Sequence, residues 1–597
     1  MLPPKTAFAR SPGTADRRPR VRRIDPTPRP TPDLGPRGWG FAALALLSLA
    51  GCGRPPTPNS TASETSSPDR GHQGDSVAFS DATAAAGLAF VHHLPGGRMS
   101  NIMESDGAGG TFLDFDDDGF LDVYLVNSSA SPATAGTAPA TPRTSNRLFR
   151  NRGDGTFEDA TERAGVAGQG FGTTAASADY DNDGDADLLV VNFDGLILYR
   201  NKGNGTFADV TGPAGLASKG SGISAAFLDV DLDGYLDVFV ANYLRFDPAV
   251  KVAPGTQAPF PGPLAYESEF NVLYRNRGDG TFEDVSERAG IRIPGHRAMS
   301  ATALDYDLDG DQDLYVSNDG TPNLLLANDG QGHFVDVGLM AGVAVNQFGA
   351  ADGSMGATVG DGNGDGFPDL FVTRFGNASF YLSSRGGYFE DRIQAAGIFP
   401  LSSAYTGWGG NFFDFDNDGD LDLFIGNGDA HRLRGMPPLL LENRGDATFT
   451  DAGARAGPLT AQSLNARGSG AWDYDNDGRM DLLVTALGER ATLWRNMIPT
   501  EAHWLTLKLV GSRGNRDGLG ALVRVTAGGR TSSAEQRCPT SYVFQQDSRL
   551  HFGLAGNRVA ERIEIRWPGG QTQAITNVPA GRILTVTEPG PSRWLPQ

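Results

Sequence analysis

The chain has 597 residues, 80 of them glycine, and a formal net charge of −21. That length exceeds one ordinary domain, so several domains or one large repeat array are expected. The acidity excludes a nucleic-acid partner, which requires basic surface, and two cysteines, Cys52 and Cys538, exclude a disulfide framework.

The first element is an apolar run from Trp39 to Ala50, preceded by Arg37 and ending Leu49-Ala50-Gly51-Cys52. It is too short to span a bilayer and suits the apolar core of a signal peptide. Leu-Ala-Gly-Cys resembles the bacterial lipobox, whose cysteine is lipidated; the alternative is a chance cysteine after an ordinary signal. The reading is a signal peptide with lipobox over residues 1–52, lipidated at Cys52. This places the protein outside the cytoplasm, anchored by lipid to the cell envelope or secreted. The basic stretch before Arg37 is long, which a start codon assigned too far upstream would explain. Residues 53–75, rich in Pro, Ser, Thr and Gly, suit a flexible tether. Removing residues 1–51 takes away nine basic and three acidic side chains, which moves the net charge to about −27.

A repeat then organises the chain. Seven segments follow Asp-x-Asp/Asn-x-Asp-Gly-x-x-Asp. The first carries Asp114, Asp116, Asp118 and Asp122; the second Asp179, Asp181, Asp183 and Asp187; the third Asp229, Asp231, Asp233 and Asp237. The fourth carries Asp305, Asp307, Asp309 and Asp313; the fifth Asp361, Asn363, Asp365 and Asp369. Asp414, Asp416, Asp418 and Asp422 form the sixth, and Asp473, Asp475, Asp477 and Asp481 the seventh.

A Gly/Ala/Ser-rich stretch precedes each loop and reads as an inner strand too crowded for large side chains. A short β-rich apolar run follows, such as Leu188-Leu189-Val190-Val191. Several copies continue through a segment like Leu198-Tyr199-Arg200-Asn201 to a Gly-Asn-Gly or Gly-Asp-Gly hairpin and a Thr-Phe-x-Asp strand. Four short strands repeated seven times predict an all-β fold. The prediction is a seven-bladed β-propeller with calcium loops over residues 76–498, plus a small C-terminal β domain over 499–592. Phe79 starts a Phe-x-Asp strand with no repeat before it, and Trp494 ends a repeat lacking that strand; pairing the two closes the ring and removes two exposed edges. The rival, calcium loops stacked almost without strands as in thrombospondin-type modules, places its loops much closer together.

Carboxylates at loop positions one, three, five and nine converge if the chain turns sharply at the glycine of position six. Hard oxygen donors in a flexible cage suit Ca²⁺, up to seven ions in all. No His or Cys falls in the loops, so Zn²⁺ and redox metals are not indicated. Two carboxylates about 4 Å apart repel by roughly 4 kcal/mol at an effective dielectric near 20, so such a nest needs a counter-ion. Asn363 in the fifth loop implies weaker binding there.

These loops resemble FG-GAP/VCBS repeats, the units of the integrin α-subunit propeller. After residue 498 the pattern changes. The series Asn515-Arg516-Asp517-Gly518-Leu519-Gly520-Ala521, His551-Phe552-Gly553-Leu554 and Ile563-Glu564-Ile565-Arg566-Trp567-Pro568-Gly569-Gly570 resembles the ASPIC/UnbV domain of the cartilage acidic protein family. The resemblance implies secretion, calcium binding and adhesion-like interaction, and no established reaction. Relatives often carry a Cys pair in the long insertion of the third repeat; here Tyr243 to Glu269 has none, which implies a loop held by packing alone or mobile.

The function expected is an exported calcium-binding scaffold that meets a protein or polysaccharide and touches membrane only through a lipid anchor. The alternative is a carbohydrate-active enzyme such as a polysaccharide lyase. No catalytic residue is assigned, and convergence of His92, His93, Arg98, Glu104, His296, Arg297 and Trp408 in one cleft would favour the enzyme. The aromatics Tyr243, Phe246, Phe260 and Tyr266 of the Pro-rich insertion suit either a glycan or protein surface or a hydrophobic plug. Cys538 reads as a lone thiol.

Overall fold

The computed structural model describes residues 78–129, 145–168, 170–216, 220–538, 541–591 and 593. The export signal, Cys52 and the tether read from residues 1–75 lie outside these. No helix among the described residues is long and apolar enough to cross a membrane.

Seven blades of antiparallel strands form a propeller, the fifth and sixth joined in one sheet. The second blade shows the plan, with strands Gly172–Ala178, Asp187–Asn192, Gly195–Asn201 and Phe207–Asp209 pairing in sequence order. The seventh blade takes three strands from residues 466–496 and its fourth, Phe79–Asp81, from the start of the ring. Phe79 faces Asn496 and Asp81 faces Trp494, so the ring closes as the unmatched half-repeats require. The second strands form the blade cores: Leu188 to Val191 and Val238 to Ala241 are all buried, each large side chain contributing about 1.5–3 kcal/mol. The inner strands are crowded as expected. A Cβ on Gly109 would lie 2.1 Å from the Val543 carbonyl oxygen, and one on Gly470 would lie 2.6 Å from the Phe112 ring.

The chain after residue 498 forms two further sheets. One joins Leu550–Ala555, His503–Val510 and Arg582–Thr587; the other joins Arg530–Glu535, Leu522–Ala527, Val559–Arg566 and Thr572–Pro579. Leu505, Leu507, Val523, Ile563 and Trp567 pack between them.

Between Glu535 and Leu550 this module leaves its own sheets and enters the propeller. Phe544–Gln545 pairs in parallel with Gly110 and Thr111, as a fifth strand on the inner side of the first blade. Thr174 Oγ1 donates to the Val543 carbonyl at 2.6 Å, Ser177 N–H to Gln545 Oε1 at 2.6 Å, and Gly410 N–H to Ser541 Oγ at 2.8 Å. Phe544 packs against Phe112 with ring centroids 5.1 Å apart. The peg therefore touches the first, second and sixth blades. From the opposite end Tyr243, Phe260 and Tyr266 of the third-blade insertion join Met103, Met299, Met355, Trp408 and Tyr542 in one buried cluster. The centre of the ring is a packed core.

Candidate metal centres and the module above them

Every repeat makes its acidic loop in the same way. The carboxylate at position one accepts the N–H of residue six, and in most loops also that of residue five: Asp183 N–H and Gly184 N–H reach Asp179 at 3.0 and 2.8 Å. Position four takes a left-handed conformation, φ = 60° at Asn182 and 55° at Leu232, and Gly184 and Gly234 at position six follow with φ of 104° and 91°. A side chain at position six would be strained, which is why glycine recurs there. Position nine is held from two sides. Asp237 accepts Val230 N–H at 3.0 Å from its own loop and Asn276 N–H at 2.7 Å from the third strand.

These turns bring positions one, three and nine together. In the triads Asp114–Asp116–Asp122, Asp179–Asp181–Asp187, Asp229–Asp231–Asp237, Asp305–Asp307–Asp313 and Asp414–Asp416–Asp422, one oxygen from each residue lies within 4.8 Å of the others. Burial above all pushes these carboxyls up, with mutual repulsion adding to it: Asp179 to about 8, Asp229 to about 7, and Asp187 and Asp237 well above the usual carboxylate range. At position three, Oδ1 of Asp116, Asp181, Asp231 and Asp475 is buried with no hydrogen-bond partner. A buried acceptor without a donor, beside two more carboxylates, fits a cation. The oxygen-only donor set suits a hard divalent ion such as Ca²⁺.

Position five is placed differently from its neighbours. Its carboxylate accepts the N–H of residue seven, as Asp233 does from Tyr235 at 3.0 Å. In three blades an arginine of the third strand also reaches it while bridging to position three. Arg150 contacts Asp116 and Asp118, Arg275 contacts Asp231 and Asp233 at 2.6 and 2.7 Å, and Arg495 contacts Asp475 and Asp477 at 2.6 and 3.3 Å. The fourth and fifth blades have Ala327 and Leu382 at that place.

The asparagine after that arginine links neighbouring blades. Asn276 Nδ2 donates to the Tyr180 carbonyl of the second loop at 2.9 Å and to Leu236 of its own loop at 3.0 Å. Asn201 reaches Phe115, Asn328 reaches Val230, Asn443 reaches Gly362, Asn496 reaches Phe415 and Asn151 reaches Tyr474 in the same way. The fifth blade has Ser383 there, and its hydroxyl is buried without a partner.

The C-terminal module covers the loop face and sets basic groups over it. Lys508 lies 3.7 Å from Asp114, Arg516 lies 3.8 Å from Asp179, and Arg566 meets Asp305 at 2.6 Å. Arg593 donates to the Asp233 carbonyl at 2.8 Å, Arg530 pairs with Asp420, and Arg549 donates to Asn476 at 2.9 Å. Asp517 and Glu535 accept the backbone N–H groups of Asp179 and Asp305. The sequence places the module after the propeller but does not show that it covers the loops, because Lys508, Arg516, Arg530, Arg549, Arg566 and Arg593 are scattered along it without a periodic pattern.

Five of the residues weighed for catalysis are held by hydrogen bonds within the fold. His92 is buried between Ser128 and the Gly488 N–H, and burial holds its pKa down at about 3. Glu104 accepts Ser100 N–H at 2.6 Å, and Trp408 donates to the Gly428 carbonyl and stacks under Arg467. His296 contacts the Pro322 carbonyl, and Arg297 donates to Pro263 and Tyr266 carbonyls of the insertion. The insertion is therefore tied by hydrogen bonds as well as packing, including Tyr243 O–H to Asp319 at 2.5 Å. Its aromatics are a plug: Tyr243, Phe260 and Tyr266 are buried, and Phe246 is packed against them. Cys538 is buried, its thiol pushed up to about 12 by desolvation, and is inert as a nucleophile.

Comparison with known proteins agrees with this architecture. FG-GAP-like repeats match at residues 114–190, 179–240, 264–316, 305–372 and 361–425, and the ASPIC and UnbV family matches at 511–593. Cartilage acidic protein 1 of Homo sapiens is 27% identical over 342 residues, which is 52% of this chain and 47% of that protein. The Mus musculus protein is 26% identical over 345 residues, 53% and 48% of the respective chains. The chain spans about half the length of the curated relatives it matches. Among solved structures, rhamnogalacturonan lyase YesW superposes with a TM-score of 0.36 at 14% identity, covering 66% of this chain and 73% of its own. Likenesses that loose say nothing about what is bound.

Proposed function

From a chain that joins FG-GAP-like repeats to an ASPIC and UnbV domain and is homologous to cartilage acidic protein 1, we infer an exported, calcium-binding propeller scaffold. Its role is to bind a protein or polysaccharide at the cell envelope, with Cys52 as the lipid attachment point. The observation that carries this reading is the buried, partnerless oxygen at position three beside two further carboxylates, repeated around the ring.

Up to seven Ca²⁺ ions occupy the loops, through positions one, three, five and nine. The bound ions supply charge neutralisation, and through it rigidity. The protein's own residues do the rest: backbone N–H groups orient the carboxylates, and the inter-blade asparagines pass the order of one loop to the next. The local bonding of His92, Glu104, His296, Arg297 and Trp408 supports binding over lyase chemistry.

The test is elemental analysis and calorimetric Ca²⁺ titration of the full chain, followed by capture of envelope proteins and glycans with and without a chelator. Absence of divalent-ion binding, or turnover of a polysaccharide by the purified protein, would refute this reading.

A further inference from the structure

The face opposite the metal loops carries a cleft that departs from the repeat in three ways at once. First, the second strand of the fifth blade runs Asp369–Gly376, eight residues where the other blades have at most six, and the inner strand of the sixth blade runs Tyr405–Phe413, nine where the others have at most seven. The surplus pairs Phe375 with Thr406 and Gly376 with Tyr405, stitching two blades together and leaving Phe375 52% exposed as a residue. Second, the segment after Asn427 forms a loop closed by a Gly428–Gly435 bridge, and Asp429 shapes it by accepting the N–H groups of His431 and Arg432. Third, the third-blade insertion brings Gln257 to the opposite wall.

These segments line an open cleft of about 280 Å³, just below the ~300 to ~1,000 Å³ of ligand pockets. His431 is held between two phenylalanines, 5.5 Å from Phe260 and edge-on to Phe375 at 5.7 Å. Burial lowers its pKa, so the imidazole is neutral and offers one donor and one acceptor at neutral pH. Arg432 is exposed.

We propose that this cleft binds an uncharged saccharide, with Phe375 as the stacking surface and His431, Arg432, Asp429 and Gln257 as the hydroxyl partners. The proposal rests on the scaffold reading and gives it a site. An exposed aromatic ring matches the apolar C–H face of a pyranose, while planar amide, imidazole and guanidinium groups match its ring of hydroxyls. Charge decides the class. Asp429 and Arg432 cancel within the cleft, and the net charge of −21 repels a polyanion at long range.

The test uses the full calcium-loaded chain with cellopentaose and mannopentaose as neutral probes and tri-galacturonic acid as the acidic one, read by calorimetry and saturation-transfer NMR. At least one neutral probe is expected to bind, with saturation on the sugar C–H protons. Phe375→Ala, which keeps the backbone pairing with Thr406, should weaken binding at least tenfold, and Arg432→Ala several-fold. Val335→Ala on the outer rim should change nothing. Neutral binding unaffected by Phe375→Ala overturns the cleft and leaves the scaffold reading intact. Binding of the acidic probe alone, or of no probe, overturns the saccharide assignment, and capture of a protein partner in the preceding experiment would then carry the scaffold reading by itself.

Discussion

Replacing Asn276 with alanine tests the idea that order passes between blades through the asparagine links. The amide donates to Tyr180 of the second blade and Leu236 of the third, and its oxygen accepts Gly278 N–H at 3.0 Å. The side chain is 1% exposed, so water cannot replace it. Three hydrogen bonds at about 0.5–1.5 kcal/mol each, with two carbonyls left buried and unpaired, predict a loss of roughly 2–4 kcal/mol. That is a large share of the ~5–15 kcal/mol by which domains are stable. The backbone bond from Asn276 N–H to Asp237 survives the substitution, so the number of Ca²⁺ ions bound should not change. Urea unfolding at saturating Ca²⁺ measures the loss, and titration checks the metal count. The fifth blade supplies the reverse experiment: Ser383→Asn installs the missing amide and should stabilise by about 1 kcal/mol. A loss below about 1 kcal/mol for Asn276→Ala, together with no gain for Ser383→Asn, would refute the reasoning.

Excess chelator should lower the melting temperature of the full chain: each site held at tenfold its dissociation constant contributes about 1.4 kcal/mol, and an unchanged melt in differential scanning fluorimetry counts against cation-filled nests. Arg275→Ala frees Asp231 and Asp233 of a competing cation, so calorimetry should find Ca²⁺ bound severalfold more tightly at that loop while the metal-free protein melts lower. Phe544→Ala empties the inner side of the first blade; a cost of about 3–5 kcal/mol and faster proteolysis of the C-terminal module are expected. Burial holds His92 and His551 down at about 3, against 6.5 when exposed. A depressed histidine pKa contributes stability that is fully present above 6.5 and is lost as pH falls from there toward 3. At saturating Ca²⁺ the melting temperature should therefore drop between pH 7 and pH 5, and by less in His551→Gln.

The ring was legible because its determinants are local. Aspartates at fixed loop spacing, glycine at position six and Phe-x-Asp strands each state a backbone requirement on the spot, and the unpaired Phe79 and Trp494 segments announced the closure. The Arg-Asn pairs were visible too, but read only as strand ends: whether Asn276 caps its own turn or reaches Tyr180, nearly a hundred residues away, depends on blade packing that no window of sequence contains. The same holds for Phe544. Its segment looks like part of a β-rich domain, and only the glycines opposite it, Gly109 and Gly470, hint that a chain must pass there. The insertion aromatics were ambiguous for a related reason: Phe260 and Tyr266 carry the same composition whether they face a ligand or the bore.

The peg at Ser541–Gln545 has a bearing on how the molecule is made. Synthesis runs from the amino end, so all seven blades leave the ribosome before the residues that occupy their hub. Until then Gly109 lacks the Val543 carbonyl and Gly470 and Phe112 lack the Phe544 ring that pack against them in the finished molecule. The peg is thus a keystone set last, and a chain that stops short of it carries every stone of the arch while leaving the hub open to water.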